Sequence, residues 1–347
     1  MTKKKIAILL RGQAKFAASN PVGKLIRENL ERTHPDIEFT FFVHVWDYVT
    51  DHETKREMFY DDIINYSESD TDNINSFIDD LAPTRYQIEG SKGVLSDMQA
   101  VFDEVPVIKF HPCIWPNFWP SHTHSELIRI ERTILQLHWE TNSMYGLMQA
   151  AKLCKNYIDE TGEHFDIIIA TQIDHYIGID DVDKAIDRAI NNDWVFCNEV
   201  TARHGIAYVD DMIFWGNERV MLQSFQVEDT FKNWFKWYVT DPVNVAIHAR
   251  SERCTHHNFW PFVFFQFEMN QRQTIFGLRL REHFDIEYLR SVDDNFKLVQ
   301  YIETNNPKHH RRDPRSFWVG ESPEIAISKT VFDWLLTNDT NDIGKDK

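Results

Sequence analysis

The sequence predicts an α/β fold built on a mostly parallel sheet flanked by helices, with a helical and aromatic C-terminal region. Three observations carry this. IAILL (6–10) and FDIIIATQIDHY (165–176) are runs of apolar residues and not alternating ones, as expected of strands buried on both faces. Such runs alternate with stretches whose apolar residues recur at helical spacing. The 347 residues, 42% of them hydrophobic, suffice for one large core.

Each element has its own justification. MTKKK leads into an apolar run of five residues before Arg11, shorter than the ~7–15 residue core of a secretion signal. It is read as a first strand, followed by the loop RGQAKF. Pro21 opens a helix to about Glu31, with Val22, Leu25, Ile26, Asn29 and Leu30 as its stripe. IEFTFFVHVW (37–46), rich in aromatic and β-branched residues, is a second strand. The acidic stretch 47–82 is expected to be variable surface structure, and TRYQIEG (84–90) a third strand. VPVIKFHPCIWPNFWPSHTH (105–124) holds four prolines and four aromatic rings, and is expected to form an ordered loop. Helical spacing covers 125–160. After the strand ending near Gln172 the chain runs into a helix marked by Val182, Ile186, Ala189 and Ile190, then a strand in DWVFCNEV (193–200). The expected division is a core over 1–217, a further region of the same domain over 218–336, and a polar tail over 337–347.

Composition limits the partners. A net charge of −17 argues against nucleic acid, whose phosphates need a basic face. Cys113, Cys154, Cys197 and Cys254 are isolated, which predicts reduced thiols and a cytoplasmic protein. No stretch approaches the ~18 apolar residues of a membrane span. His122, His124, His256, His257, His309 and His310 lack the cysteine or carboxylate spacing of a zinc site. KHHRRDPR (308–315) is either a loop closing over an anion or a solvated charge run.

The loops then narrow the chemistry. There is no G-x-x-x-x-G-K-[ST] phosphate loop, no G-x-G-x-x-G after the first strand and no G-x-S-x-G nucleophile turn. What remains is a nucleotide-type site without a glycine-rich cradle. In parallel sheets ligands bind beyond the carboxyl ends of the strands, and three loops there carry polar residues: Arg11-Gly12-Gln13, His44–Asp47 and Gln172–His175. Nucleotide-sugar transferases replace the cradle with a divalent metal held by acidic residues. Of the two literal D-x-D strings, Asp70-Thr71-Asp72 lies in the acidic stretch without a strand before it, and Asp181-Val182-Asp183 sits at a helix start, where aspartates cap amides and favour the dipole. Asp174 has the better context: it can give Mn2+ or Mg2+ a hard oxygen, with Gln172 offering a carbonyl and His175 an imidazole.

The succession KIAILLRGQ, FFVHVWD, SMYGLMQAAKLCKNY, FDIIIATQID and VDDMIFWGN resembles a family of GT-A-type glycosyltransferases of bacteria, phages and large viruses. These are nucleotide-diphospho-sugar transferases with a Rossmann-type core. The likeness spans residues 5–217 and departs from the family at Gln172, where many relatives carry a basic residue. It implies transfer of a hexose from a nucleoside diphosphate sugar, UDP-linked first of all, to a glycan acceptor in polysaccharide biosynthesis. The other reading is a catalytically silent carbohydrate- or nucleotide-sugar-binding protein on the same fold.

The resemblance puts the nucleotide beside Arg11, whose guanidinium pairs either with phosphate or with a neighbouring carboxylate, while Gly12 lets the backbone turn. Alternation sets His44 and Trp46 on one face. Either a base stacks on Trp46 and Asp47 takes a ribose hydroxyl, or Trp46 is a core ring and Asp47 a cap. Tyr145, Gln149 and Lys152 share one helix face, directed at the donor or at solvent. Asp210-Asp211 lies by the acceptor in the resembling family, where a carboxylate can take the proton of the attacking hydroxyl. Glu268 is the second candidate acid, weighed against a structural salt bridge.

Overall fold

The computed structural model describes residues 3–14, 17–18, 21–47, 71–90, 143, 145–197, 200–203, 206–209, 213–225, 268–271, 274–279 and 326–327. The elements that matter for the site are β1 (Lys4–Gly12), α1 (Val22–Thr33), β2 (Ile37–Trp46), α2 (Thr71–Leu81), β3 (Arg85–Glu89), α3 (145–161) and β4 (Ile167–Gln172). They are followed by β5 (His175–Ile179), α4 (Val182–Asn191), β6 (Trp194–Cys197), β7 (Val200–Arg203), β8 (Ile206–Val209), β9 (Ile213–Gly216), α5 (Glu218–Phe225), β10 (Glu268–Gln271), β11 (Ile275–Arg279) and β12 (Ala326–Ile327).

Eight strands form one mixed, mostly parallel sheet in the order β12-β10-β6-β9-β4-β1-β2-β3. Strands β3, β2, β1 and β4 are mutually parallel, and β9 runs antiparallel between β4 and β6. The apolar runs explain the placement. Ile6 through Leu10 and Ile167 through Ala170 are all fully buried, so β1 and β4 take the centre, where both faces are covered. This is the expected α/β class.

The expected stripe of α1 is buried at Val22, Leu25, Ile26, Asn29 and Leu30. Its Gly23 is a contact point: a Cβ there would lie 2.8 Å from the Phe77 carbonyl oxygen of α2. Arg27 closes the same interface by donating to the Leu81 and Ala82 carbonyls at 2.6 and 2.8 Å. Part of the acidic stretch 47–82 is therefore not surface structure, because α2 buries Ile74, Phe77 and Leu81. Three apolar residues at helical spacing outweigh the polar composition around them.

Two other expectations are corrected. The chain does not run from Asp174 directly into a helix. A two-residue turn leads it into β5, which pairs antiparallel with β11 in a separate two-stranded sheet. In α4, Val182, Ala185, Ile186 and Ala189 are buried while Ile190 is 62% exposed, since it lies off the stripe set by the other four. The stretches 105–124 and 308–315, the six paired histidines, Cys113 and Cys254 lie outside the described residues. Cys154 and Cys197 are buried, and burial pushes the Cys154 thiol up.

Candidate functional site at the carboxyl edge of the sheet

Because β1 to β4 are parallel, their carboxyl ends lie side by side at one edge. The register makes a row: Trp46 opposite Glu89, His44 opposite Arg11, and Arg11 opposite Gln172. Residues far apart in sequence thus meet because the strands that end on them are neighbours. Gly12 turns the chain out of β1 at φ +128°, a conformation open to glycine, and Gln13 follows it. Arg11 is 3% exposed, and its carbonyl oxygen accepts from the Ile173 backbone N–H at 3.0 Å, which ties the β4–β5 turn to β1.

At the end of β2, His44 and Trp46 do share a face. Their ring centroids are 4.7 Å apart, edge to face. Tyr145 of α3 completes the group, 5.9 Å from His44 and 5.7 Å from Trp46. Helix α3 approaches closely at Gly146, where a Cβ would lie 3.1 Å from His44 Nδ1 and 3.6 Å from Trp46 Nε1. Trp46 is only 3% exposed, so its faces are already covered, whereas Tyr145 is half-buried. Asp47 donates its backbone N–H to the Glu89 carbonyl at 2.8 Å. Along α3, Gln149 is buried and Lys152 exposed, so that face runs from the sheet edge outward to solvent.

The residue that organises this group was not among those the sequence singled out. Glu89, at the carboxyl end of β3, accepts from His44 Nε2 at 3.1 Å and Gln87 Nε2 at 3.0 Å through Oε2. Its Oε1 accepts from the Tyr145 hydroxyl at 2.9 Å. The hydrogen bond from His44, helped by those from Tyr145 and Gln87, holds the Glu89 carboxyl below the ordinary glutamate range against the opposing effect of partial burial. An ionised carboxylate only accepts, so Nε2 of His44 carries a hydrogen. The other ring nitrogen, Nδ1, is buried with no hydrogen-bond partner among the described residues. The signal for Glu89 in the sequence was its position at the end of a strand parallel to the other three.

At the end of β4, Thr171 and His175 are buried, joined between Thr171 Oγ1 and His175 Nδ1 at 3.1 Å. Gln172 is half-buried. Asp174 sits in the turn with its side chain 22% exposed, its Oδ1 3.8 Å from His175 Nε2. Among the described residues no group of three or more His, Cys, Asp and Glu gathers to hold a metal ion. One carboxylate suits a cation that arrives on a diphosphate, which needs one or two protein carboxylates, better than an ion held by protein alone. Asp181 accepts from the Lys184 backbone N–H at 3.0 Å as the cap of α4, and Asp72 lies in the first turn of α2. Both D-x-D strings thus meet helix starts. Asp210 and Asp211 lie outside the described residues. Glu268 opens β10, its backbone in register with Trp194 of β6.

No protein-family model matches the chain, and no curated protein matches it significantly. Solved structures of a galactosyltransferase are similar to it. That enzyme is LgtC, in complex with donor and acceptor sugar analogues, at 12% identity and a TM-score of 0.32 over 75% of this chain and 70% of that one. An active-site mutant of LgtC matches with the same values. A likeness of this size assigns no role to any residue here. No helix among the described residues is long and apolar enough to cross a membrane.

Proposed function

We propose that the chain is a glycosyltransferase that moves a hexose from a nucleoside diphosphate sugar, UDP-linked first of all, to a glycan acceptor. The observation that carries this is the row of polar strand ends. Arg11, His44, Glu89 and Gln172 end or nearly end four neighbouring parallel strands, the edge where such sheets bind ligands, and Asp174 adds a carboxylate beside them. The motif succession that resembles the GT-A family supplies three of these strand ends, Arg11, His44 and Gln172. The resemblance sets the Arg11 guanidinium, buried at this edge, beside the phosphate, while the half-buried Tyr145 would meet a base and Asp47 a ribose hydroxyl. A divalent cation would be held by Asp174 with the Gln172 carbonyl, and would supply charge neutralisation on the diphosphate.

In the reaction, an acceptor hydroxyl forms a bond to the anomeric carbon as that carbon's bond to the diphosphate breaks. The hydroxyl proton passes to a carboxylate, for which Asp210 or Asp211 is the first candidate and Glu268 the second. Two adjacent aspartates on an extended segment point to opposite sides, so one of the pair serves. The test is release of nucleoside diphosphate from a panel of UDP- and GDP-hexoses, with and without manganese, in wild type, Asp174→Asn, Asp210→Ala and Asp211→Ala. Turnover by wild type should vanish in Asp174→Asn. It should fall roughly 10²–10⁴-fold in one Asp→Ala variant with donor affinity kept. Donor binding without turnover in wild type would favour the silent binding protein, which the incomplete acidic motif Gln172-x-Asp174 makes the second reading.

A further inference from the structure

The end of β3 carries an inference that deepens the proposed function and rests on it. Strand β3 is the last of the eight-stranded sheet among the described residues, and its alternation is inverted. Tyr86 and Ile88 are 51% and 44% exposed, while Arg85, Gln87 and Glu89 are half-buried on the other side. A half-buried strand ordinarily turns its apolar residues inward. Here the inward positions are occupied by partners for α3 and β2. Arg85 makes a two-pronged pair with Glu160 of α3 at 3.0 and 2.6 Å, and Glu89 binds Tyr145 of α3 and His44 of β2.

Glu89 receives three donors on two oxygens, which leaves little capacity for a ligand. Its effect is exerted through the groups it holds. The His44 ring is fully buried, and its tautomer follows from the carboxylate it faces. The Tyr145 hydroxyl is held by the same carboxylate and its ring lies 5.7 Å from that of Trp46, in a residue that is half-buried. Trp46, being covered, backs the ring from within.

We propose that Glu89 is a positioning residue. It holds Tyr145 against His44 and Trp46 so that this half-buried residue is preformed to meet the base of a nucleoside diphosphate. Ordering the ring before the ligand arrives removes that ordering from the free energy of binding. Glutamine in place of Glu89 offers one acceptor oxygen where the carboxylate offers two, so at least one of the three donors is released.

The experiment has two arms, each run on wild type, Glu89→Gln and Tyr145→Phe. Calorimetric titration with UDP reads the affinity. Long-range 1H–15N spectra of the ligand-free protein read the tautomer of the His44 ring. Wild type should show the Nε2–H form, and Glu89→Gln should shift the His44 signals. Both variants should bind UDP about tenfold more weakly with the fold retained by circular dichroism. Wild-type affinity in both variants overturns the positioning role and leaves the nucleotide reading standing, as does an unmoved His44 signal in Glu89→Gln. Shifted His44 signals in Glu89→Gln, with a wild-type protein that does not bind UDP, leave Glu89 as the organiser of the ring cluster and overturn the nucleotide reading alone.

Discussion

Glu89 shows how one carboxylate can hold three elements together. Its pKa is depressed in the fold, chiefly by the hydrogen bond from His44. A depressed carboxylate contributes stability that is present above the unfolded-state value, ~4.3 for glutamate, and is lost as pH falls through the folded value. Acid unfolding of wild type should therefore include a component below about pH 4 that is missing from Glu89→Gln. Melting temperatures measured from pH 7 to pH 3 would show it. Parallel curves for the two proteins would mean that the cluster does not couple to folding. Glu89→Ala is the harsher change, because it leaves the buried His44 Nε2–H without an acceptor, a loss of about 1–3 kcal/mol.

Asp181 makes a contrasting case. Its acid belongs to α4, where Oδ1 accepts from the Lys184 N–H. Asp181→Ala should lower stability by about 0.5–2 kcal/mol and leave donor binding unchanged with or without manganese. A manganese-dependent loss of binding would return the D-x-D string to the site.

Among the elements, the α1–α2 contact is the tightest seam that sequence patterning left out. Gly23 stands against a backbone oxygen at 2.8 Å, which cannot swing aside as a side-chain end can. Gly23→Ala should therefore destabilise by about 1–3 kcal/mol, as overpacking does, despite the usual gain in helix propensity from that change. Urea denaturation checks the sign: a variant as stable as wild type would mean that α2 moves freely on α1. The amino edge of the sheet is stitched differently. Lys5 exchanges backbone and carboxylate bonds with Asp166 at 2.8 and 2.9 Å, and its ammonium pairs with Glu163, which also takes the Tyr157 hydroxyl at 2.5 Å. That bond is the main reason the Tyr157 hydroxyl is pushed up to about 12. These groups bond one another, so charge at this edge serves the fold.

Elements were legible where burial on both faces left no choice of residue. Strands β1, β2 and β4 read directly as apolar runs, and α1 and most of α4 as stripes. Strand β5 was hidden because only two residues, Ile173 and Asp174, separate it from β4, so one apolar stretch contained two strands. Helix α2 was hidden by the acidic residues on its outer face. Glu89 was hidden although its strand reads over 84–90, because nothing local shows that this strand's end joins those of β2, β1 and β4. The strand-end residues Arg11, His44, Trp46, Gln172 and Asp174 were visible because polar groups directly after apolar runs are conspicuous. Which of them touch one another depended on strand order, and strand order comes from tertiary pairing that no local pattern encodes.

At the scale of the whole molecule, one sheet edge gathers residues from positions 11 to 174 into a single row, and the central claim is that this row receives a nucleoside diphosphate sugar. A ligand that binds only the folded chain stabilises it by mass action, by about 2.7 kcal/mol at a hundredfold excess over its Kd. The direct measurement is the melting temperature of the wild-type chain against a panel of UDP- and GDP-sugars at millimolar concentration, with and without manganese. The account predicts a rise of several degrees with at least one of them, smaller in Glu89→Gln. No shift with any nucleotide sugar under either condition would contradict it.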